Sequence, residues 1–430
     1  MSVLLSFLAL LLGGLPILFT LLAATLLFIY VEDVFVLAES LPTQFYGALE
    51  QNGLLAIPVF MLVGEVMNKG GLTERLIAAA NVLVGRFKGG LAYVNLLTNA
   101  MAASILGSAI AQIAVMSRLM VPAMEKQGYD KSFAAAVTIS GGLLGPIIPP
   151  SMLMIIYGVI SFQPVATLFV AGILPGVLMV MGFAAVIIIT GLFVELPAGG
   201  AAAAADDGAQ ASVWSQLAPG LLPGLVPFAV IAGIVSGAMT PTEAGAVAAL
   251  LSILIGGVIY RDLKFADIPA ILLEVSKSTA MITSLIAAAT VLGWALSFQE
   301  VPDLLAGWIR EFSDSPLMFL LLVNLLMIVL GIFLESIAVM IVLVPILLPA
   351  AVAMGVDPVH FGVVTALATL VGLVTPPVGP GLFVVMAQNQ MKMGELFKAM
   401  IPFLAMMLAV MAVINALPAL STWLPKALGM

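Results

Sequence analysis

Two short stretches of this chain combine glycine and proline in a way that could hold an alkali cation. They are Gly145-Pro146-Ile147-Ile148-Pro149-Pro150 and Gly372-Leu373-Val374-Thr375-Pro376-Pro377, and each interrupts an otherwise apolar segment. Proline removes a backbone donor and clashes with the preceding turn, so each pair unwinds its helix and leaves carbonyl groups without amide partners. In hydrocarbon those groups must be met by protein, water or a cation. The half-helix ends beside them add dipoles, with carbonyl oxygens for Na⁺ and amide donors for an anion.

The elements that carry these breaks belong in a bilayer. Of 430 residues 63% are hydrophobic and 8% charged, with a mean hydropathy of +1.25, and a soluble protein could not solvate that surface. The chain has no cysteine, which excludes disulfides, thiol catalysis and thiolate metal sites, and one histidine, His360, which argues against an imidazole-built zinc or haem centre and fits a loop cap better than a proton relay. The net charge of −8 rests on few loop groups and gives no nucleic-acid footprint. The 25 methionines read as packing residues.

Segments able to cross about 30 Å of hydrocarbon lie near residues 3–29, 53–68, 133–161, 164–194, 219–237, 242–260, 277–297, 359–388 and 395–422. The first lacks a basic start and is too long for a signal peptide's apolar region, so it reads as a membrane helix. Two more apolar regions, 91–125 and 316–353, are broken midway, at Leu106-Gly107-Ser108 and near Gly331 to Ser336. Each arm is short for a full crossing, which suggests re-entrant helical hairpins. Residues 72–88 and 300–313 mix charge with apolar residues as interfacial helices do.

An ungapped repeat relates the halves. An offset of 227 pairs Pro149 with Pro376, Pro122 with Pro349, Gly128 with Gly355, Asp130 with Asp357 and Gly145 with Gly372, and 14 of 57 positions between 104 and 160 are identical to their partners. The first repeat is taken as 1–196, an Ala/Gly-rich linker as 197–215 and the second repeat as 216–430. With Met1 in the cytoplasm, only Arg310 and Lys426 of the basic residues face outward once Arg118, inside the first hairpin, is set aside, and the acidic stretch Glu32 to Glu50 lies outside. An odd number of crossings then inverts the second half. Inverted repeats, broken helices and paired hairpins together describe an all-α polytopic secondary transporter with its site near the membrane midplane. One ion site would join the turn at Gly107 and Ser108 to Gly145–Pro150, and a second would join Gly331 to Gly372 and Thr375.

The motif Ala56-Ile57-Pro58-Val59-Phe60-Met61-Leu62-Val63-Gly64-Glu65-Val66-Met67-Asn68-Lys69-Gly70-Gly71-Leu72 is followed in order by Gly107-Ser108, Ile147-Ile148-Pro149-Pro150-Ser151 and Thr375-Pro376-Pro377-Val378-Gly379. This series resembles the large membrane (M) subunit of TRAP (tripartite ATP-independent periplasmic) transporters, from about Gly14-Leu15-Pro16-Ile17 to the last helix. The resemblance implies a fold of the ion-transporter superfamily type, with two re-entrant hairpins, two broken helices and elevator movement. It implies a Na⁺-driven importer of organic acids in the bacterial inner membrane. Its partners would be a periplasmic substrate-binding (P) subunit and a small membrane (Q) subunit, here a separate chain. The family's Na⁺ ligands map onto Ser108, Gly145, Ile148 and Pro150 in the first repeat and onto Gly331, Gly372, Thr375 and Val378 in the second. Four positions depart from the family pattern, which has serine at Leu106, aspartate at Gln112 and a leucine-asparagine pair at Pro380-Gly381.

Ser104, Gln112, Arg118, Glu335 and Ser336 complete the candidate set as substrate-cavity residues. For several, two readings stand. Ser104, Ser108 and Ser336 could bind a ligand or bond back onto their own helices; Arg118 could meet a substrate carboxylate or snorkel to the cytoplasm; Glu335 could shape the cavity or sit at a helix start. The sequence therefore reads as a Na⁺-coupled, receptor-dependent importer, not an enzyme. A stand-alone Na⁺/dicarboxylate carrier is the alternative, and a channel or a proton-translocating subunit fits less well because neither a continuous polar pore nor a series of buried titratable residues is present.

Overall fold

The computed structural model describes residues 13–84, 88–197, 213–301 and 315–430, with 7, 9, 10, 303, 304 and 307, the side chains of 52, 81, 104–106 and 213–216 excepted. The first half runs through α1 (Ile17–Val31), α2 (Val36–Leu49), α3 (Ala56–Lys69) and α4 (Leu72–Val84). A hairpin of α5 (Gly90–Leu106) and α6 (Ala109–Lys126), a split helix of α7 (Lys131–Gly142) and α8 (Met152–Ser161), and α9 (Val165–Phe193) complete it. The second half holds α10 (Val213–Val235), α11 (Pro241–Ile253, prolonged by a π-helical turn to Ile259) and α12 (Ile268–Phe298). Then come a hairpin of α13 (Pro316–Gly331) and α14 (Ser336–Ala353), a split helix of α15 (Pro358–Leu373) and α16 (Pro380–Asn389), α17 (Met393–Ala416) and α18 (Ala419–Ala427).

The repeated residues do the same local work in both halves. Gly128 and Gly355 end their hairpins with φ of +90° and +82°, a region glycine enters without penalty. Asp130 accepts from the Phe133 amide at 2.9 Å, and Asp357 from those of Val359 and His360 at 2.8 and 3.2 Å, so the two aspartates cap α7 and α15. Both proline pairs follow the ends of those helices, and both Pro149-Pro150 and Pro376-Pro377 are cis.

The core lies where the split helices run. Every residue from Ala134 to Gly142 and from His360 to Leu373 is buried, as expected of helices that are apolar all round. The arms of each hairpin pack on one another, and α5 and α13 each lie against the first piece of their own split helix, α7 and α15. The second arms cross over. Arm α6 packs on α16, and α14 packs on α8, so each hairpin touches the far piece of the other half's split helix. Around this bundle, α1 and α2 pack on α12, α3 on α11, and α4 on α10. Helix α4 is tied down where Arg75 meets Asp262 at 2.6 Å and lies 3.9 Å from the Tyr260 ring centroid, while the Tyr260 hydroxyl donates to Pro219 O at 2.6 Å.

Several expectations change. The span at 3–29 does not run as one helix: Gly14 turns at φ +82° and α1 begins after Pro16. Within the acidic stretch 32–50, for which no element was expected, α2 forms despite Pro42 and the acidic residues. The span at 277–297 lengthens to 31 residues in α12, and 395–422 ends at Ala416, with Pro418 preceding a separate α18. The expectation that all four hairpin arms are short fails for α14. Its 18 residues are long and apolar enough to cross a membrane, as are the helices at 165–193, 217–235, 241–259, 265–298 and 393–416. By contrast α5 and α13 have 17 and 16 residues, about 24–26 Å at 1.5 Å per residue. Most of the 300–313 segment and of the linker lies outside the described residues.

Candidate functional site

The two hairpin tips meet. A small void of about 10 Å³ is lined by Gly107, Ser108, Pro146, Glu335, Ser336 and Leu373, which brings both tips and both split-helix regions to one place. Beside it opens a cavity of about 320 Å³, lined by Ser108, Ala111 and Met152 from the first half and Glu335, Ile337 and Ala338 from the second hairpin. Its far wall comes from α3 and α12, with Gly64 and Glu65 facing Glu274, Ser278 and Ile282. A larger pocket of about 550 Å³, near Gln51, Phe162 and Thr242, lies away from both tips.

In the first half, Gly107 turns at φ +60° and sits on the start of α8, where an added Cβ would lie 3.1 Å from Met152 Cβ. This left-handed turn lets the tip reach the break. The Ser108 hydroxyl accepts the Ala111 amide at 3.5 Å, and its carbonyl accepts the Gln112 amide at 3.0 Å. The break is tied by its own turn: Leu144 O accepts from Ile147 N and Ile148 N at 3.1 and 2.9 Å, and Pro146 O from the Ser151 hydroxyl at 2.5 Å. The carbonyls of Gly145, Ile148 and Pro150 accept no hydrogen bond among the described residues. Buried backbone carbonyls are nearly always paired, so the unpaired ones of the buried Gly145 and Pro150, with that of the partly buried Ile148, are oxygens this break could offer a cation.

In the second half the contact is backbone on backbone. A Cβ on Gly372 would lie 2.5 Å from Ile328 O and 2.7 Å from Gly331 Cα, so α13 and α15 approach as only glycines allow. The Gly379 amide donates to Ile332 O at 3.0 Å, joining the far side of the break to the hairpin. Gly372 O accepts the Thr375 amide at 3.0 Å, and the Thr375 hydroxyl donates to Val371 O at 2.6 Å. The carbonyls of Gly331, Thr375 and Val378 accept nothing among the described residues. The six free carbonyls and the Ser108 tip are hard oxygen donors of the kind Na⁺ takes, so the residues present fit the ion.

The substrate-cavity candidates divide. Glu335 lines the larger cavity, and Ser336 lines the void between the tips with its hydroxyl buried and unpartnered among the described residues. Gln112 does not face the cavity. It is fully buried, donates to Asn99 O and Oδ1 at 2.7 and 3.0 Å, and rests its unpartnered Oε1 against Gly145, where a Cβ would lie 2.5 Å away. Its network continues through Asn99 and Asn95 to Thr138. Arg118 also lies elsewhere, on the α6–α16 contact, with its Nε 3.2 Å from the Gln388 side-chain amide, whose oxygen accepts from it once that amide is turned over. Ser104 stands on α5, and its side chain is outside the described residues. Sequence reading missed Glu65, Glu274 and Ser278, which lie on helices whose cavity-facing sides only packing reveals. It also missed the Asn95, Asn99 and Thr138 network, whose signal was polar residues spaced by four in an apolar helix.

The fold has a solved counterpart. The crystal structure of the YdaH transporter of Alcanivorax borkumensis aligns at a TM-score of 0.62 and 15% identity over 90% of this chain and 89% of that one, a likeness of fold. Among relatives, the C4-dicarboxylate TRAP transporter large permease protein DctM of Pseudomonas aeruginosa is 36% identical over 91% of this chain and 90% of its own length. The sialic acid TRAP transporter large permease protein SiaM of Vibrio cholerae is 34% identical over 97% and 96%. The isethionate TRAP transporter permease protein DctMQ of Oleidesulfovibrio alaskensis is 34% identical over 90% of this chain but 61% of its own length, so a TRAP permease can be longer than this chain. The family model of the tripartite ATP-independent periplasmic transporter DctM component matches residues 4–420, and the chain belongs to that family.

Proposed function

We propose that this chain is the transport subunit of a Na⁺-coupled secondary importer in the bacterial inner membrane. It receives an organic acid from a periplasmic binding subunit and works with a small membrane subunit on a separate chain. The carrying observation is the set of six unpaired carbonyls at the two breaks, beside two hairpin tips that meet. Family membership supports a membrane permease, and relatives named for a C4-dicarboxylate, sialic acid and isethionate support an organic acid as cargo.

Gly145, Ile148 and Pro150, with Ser108, hold the first ion, and Gly331, Gly372, Thr375 and Val378 hold the second. A bound Na⁺ supplies positive charge that offsets the carbonyl dipoles within the membrane. The breaks then stay open and the tips stay placed, so the cavity beside them keeps its shape for substrate. The hairpins and split helices move as one bundle against a scaffold of α1, α10 and α11, and the cavity between Glu335 on the bundle and Glu65 and Glu274 outside it opens to one side at a time. Proteoliposomes carrying the chain with its small subunit and binding subunit test this. Uptake should need an inward Na⁺ gradient and the binding subunit, and no ATP. Uptake that continues unchanged with K⁺ replacing Na⁺ refutes the coupling, and uptake without the binding subunit favours a stand-alone carrier.

A further inference from the structure

Beside the free carbonyls of the first break stands an oxygen that is not main chain. Gln112, on α6, is fully buried, and its Oε1 has no partner among the described residues. It lies against Gly145, whose own carbonyl accepts nothing among them. The other end of the amide settles which atom faces the break. Nε2 meets Asn99 O at 2.7 Å, Asn99 Oδ1 at 3.0 Å and Gly141 O at 3.5 Å, so a turned amide would set oxygen against oxygens.

Behind Gln112 the hydrogen bonds run head to tail. Gln112 Nε2 donates to Asn99 Oδ1, Asn99 Nδ2 to Asn95 Oδ1 at 2.8 Å, Asn95 Nδ2 to Thr138 Oγ1 at 2.7 Å, and the Thr138 hydroxyl to Ala134 O at 2.8 Å. All four side chains are fully buried. Every donor points away from Gly145, so each bond polarises the next and the negative end of the chain is the bare Oε1. Leaving such an acceptor buried and unmet is costly. The break has little to give it: Pro146, Pro149 and Pro150 have no N–H, the Ile147 and Ile148 amides go to Leu144 O, and the Ser151 hydroxyl goes to Pro146 O. Acceptors gathered where the donors are spent are suited to a cation.

The hairpin fold does not itself require this chain. The offset of 227 that pairs the two breaks sets Val339 where Gln112 stands, and Leu322 and Leu326 where Asn95 and Asn99 stand. The second break is built without it.

We propose that Gln112 Oε1 is a side-chain ligand of the first Na⁺, sharpened by the Asn99, Asn95 and Thr138 chain behind it, which makes the two ion sites unequal. This rests on the Na⁺ reading above and adds to it a ligand and an asymmetry. Asn95 acts only through Gln112, as a positioning residue.

Binding of radioactive Na⁺ to the purified chain, with K⁺ holding the ionic strength constant, tests this apart from transport. Gln112→Met keeps the length of the side chain and removes the oxygen, so one site should weaken at least about fivefold while the other stays within about twofold. Asn95→Leu breaks the chain two links from the break and should weaken that same site about twofold. The wild-type chain decides even where a variant fails to fold. With its glutamine side-chain carbonyls isotopically labelled, the infrared difference between Na⁺ and K⁺ should contain a labelled band. The inference is overturned if that band is absent, if Gln112→Met melts earlier yet binds Na⁺ as the wild type does, or if it weakens both sites alike. A site unmoved by Asn95→Leu overturns the sharpening. Two sites unchanged by Gln112→Met leave the importer reading intact and remove this one, whereas a wild type that binds no Na⁺ removes both.

Discussion

The two breaks share prolines, free carbonyls and offset, yet they are held by different means. Around Gly145 the first is closed by side chains: Ser151 ties Pro146 O, Gln112 rests on Gly145, and the segment 143–151 is buried except for a partly covered Ile148. Helix α9 presses on it through Gly172 and Gly176, each of which leaves no room for a Cβ beside Ile147 or Ile148. The second is closed by main chain on main chain at Gly331 and Gly372, and from Thr375 to Val378 it is partly or fully exposed. At Gly145 the first break meets a side chain that could be rebuilt and at Gly372 the second meets main chain that could not, while Gly172 on Ile147 O gives the first break one unyielding main-chain contact of its own.

That contrast can be broken most sharply at the paired glycines. Gly372→Ala places a Cβ 2.5 Å from Ile328 O, and backbone cannot yield, so transport should fall at least about a hundredfold, roughly 3 kcal/mol in coupling or folding. Gly145→Ala meets the far end of Gln112 instead, so uptake should fall less and recover when Gln112→Ala is added. Equal losses at both positions, without recovery, would erase the distinction. Next in size, Ser151→Ala leaves Pro146 O buried without a donor and removes the α8 cap on Met154, which should cost about 1–3 kcal/mol and lower the melting temperature with little change in Na⁺ dependence. Thr375→Val should act the other way. It removes a hydroxyl beside the second set of free carbonyls, so the Na⁺ concentration for half-maximal uptake should rise several-fold, about 1 kcal/mol, with the melting temperature nearly held. The smallest effect is expected for Tyr157→Phe, which loses the hydroxyl bond to Pro358 O between the halves, about 0.5–1.5 kcal/mol by thermal unfolding.

Much of this was legible in residue types because proline, glycine and aspartate act locally. Pro149, Pro376, Gly128, Gly355, Asp130 and Asp357 fix backbone breaks, left-handed turns and caps whatever surrounds them, so a fixed offset between them already implied two copies of one arrangement. The family motifs added which residues are proposed as ligands. What depended on packing was less accessible. Helix α2 was hidden because acidic residues and Pro42 weaken its apolar pattern, and α14 was expected to be short because the break near Gly331 to Ser336 divides its apolar region. Gln112 and Arg118 were assigned to the cavity by their place on a hairpin, but position on a helix does not say which neighbour a side chain meets. Gln112 turns to Asn99 and Gly145, and Arg118 to Gln388.

Because α6 lies on α16 while α14 lies on α8, neither half encloses a finished site of its own. Pulling one tip away from its neighbours would strip the opposite half's split helix of the surface it rests on. Under the proposed function, an ion bound at one break would bias the other through shared packing, with no relay of intermediate residues required, and a half-length chain produced alone would leave its own break unsealed.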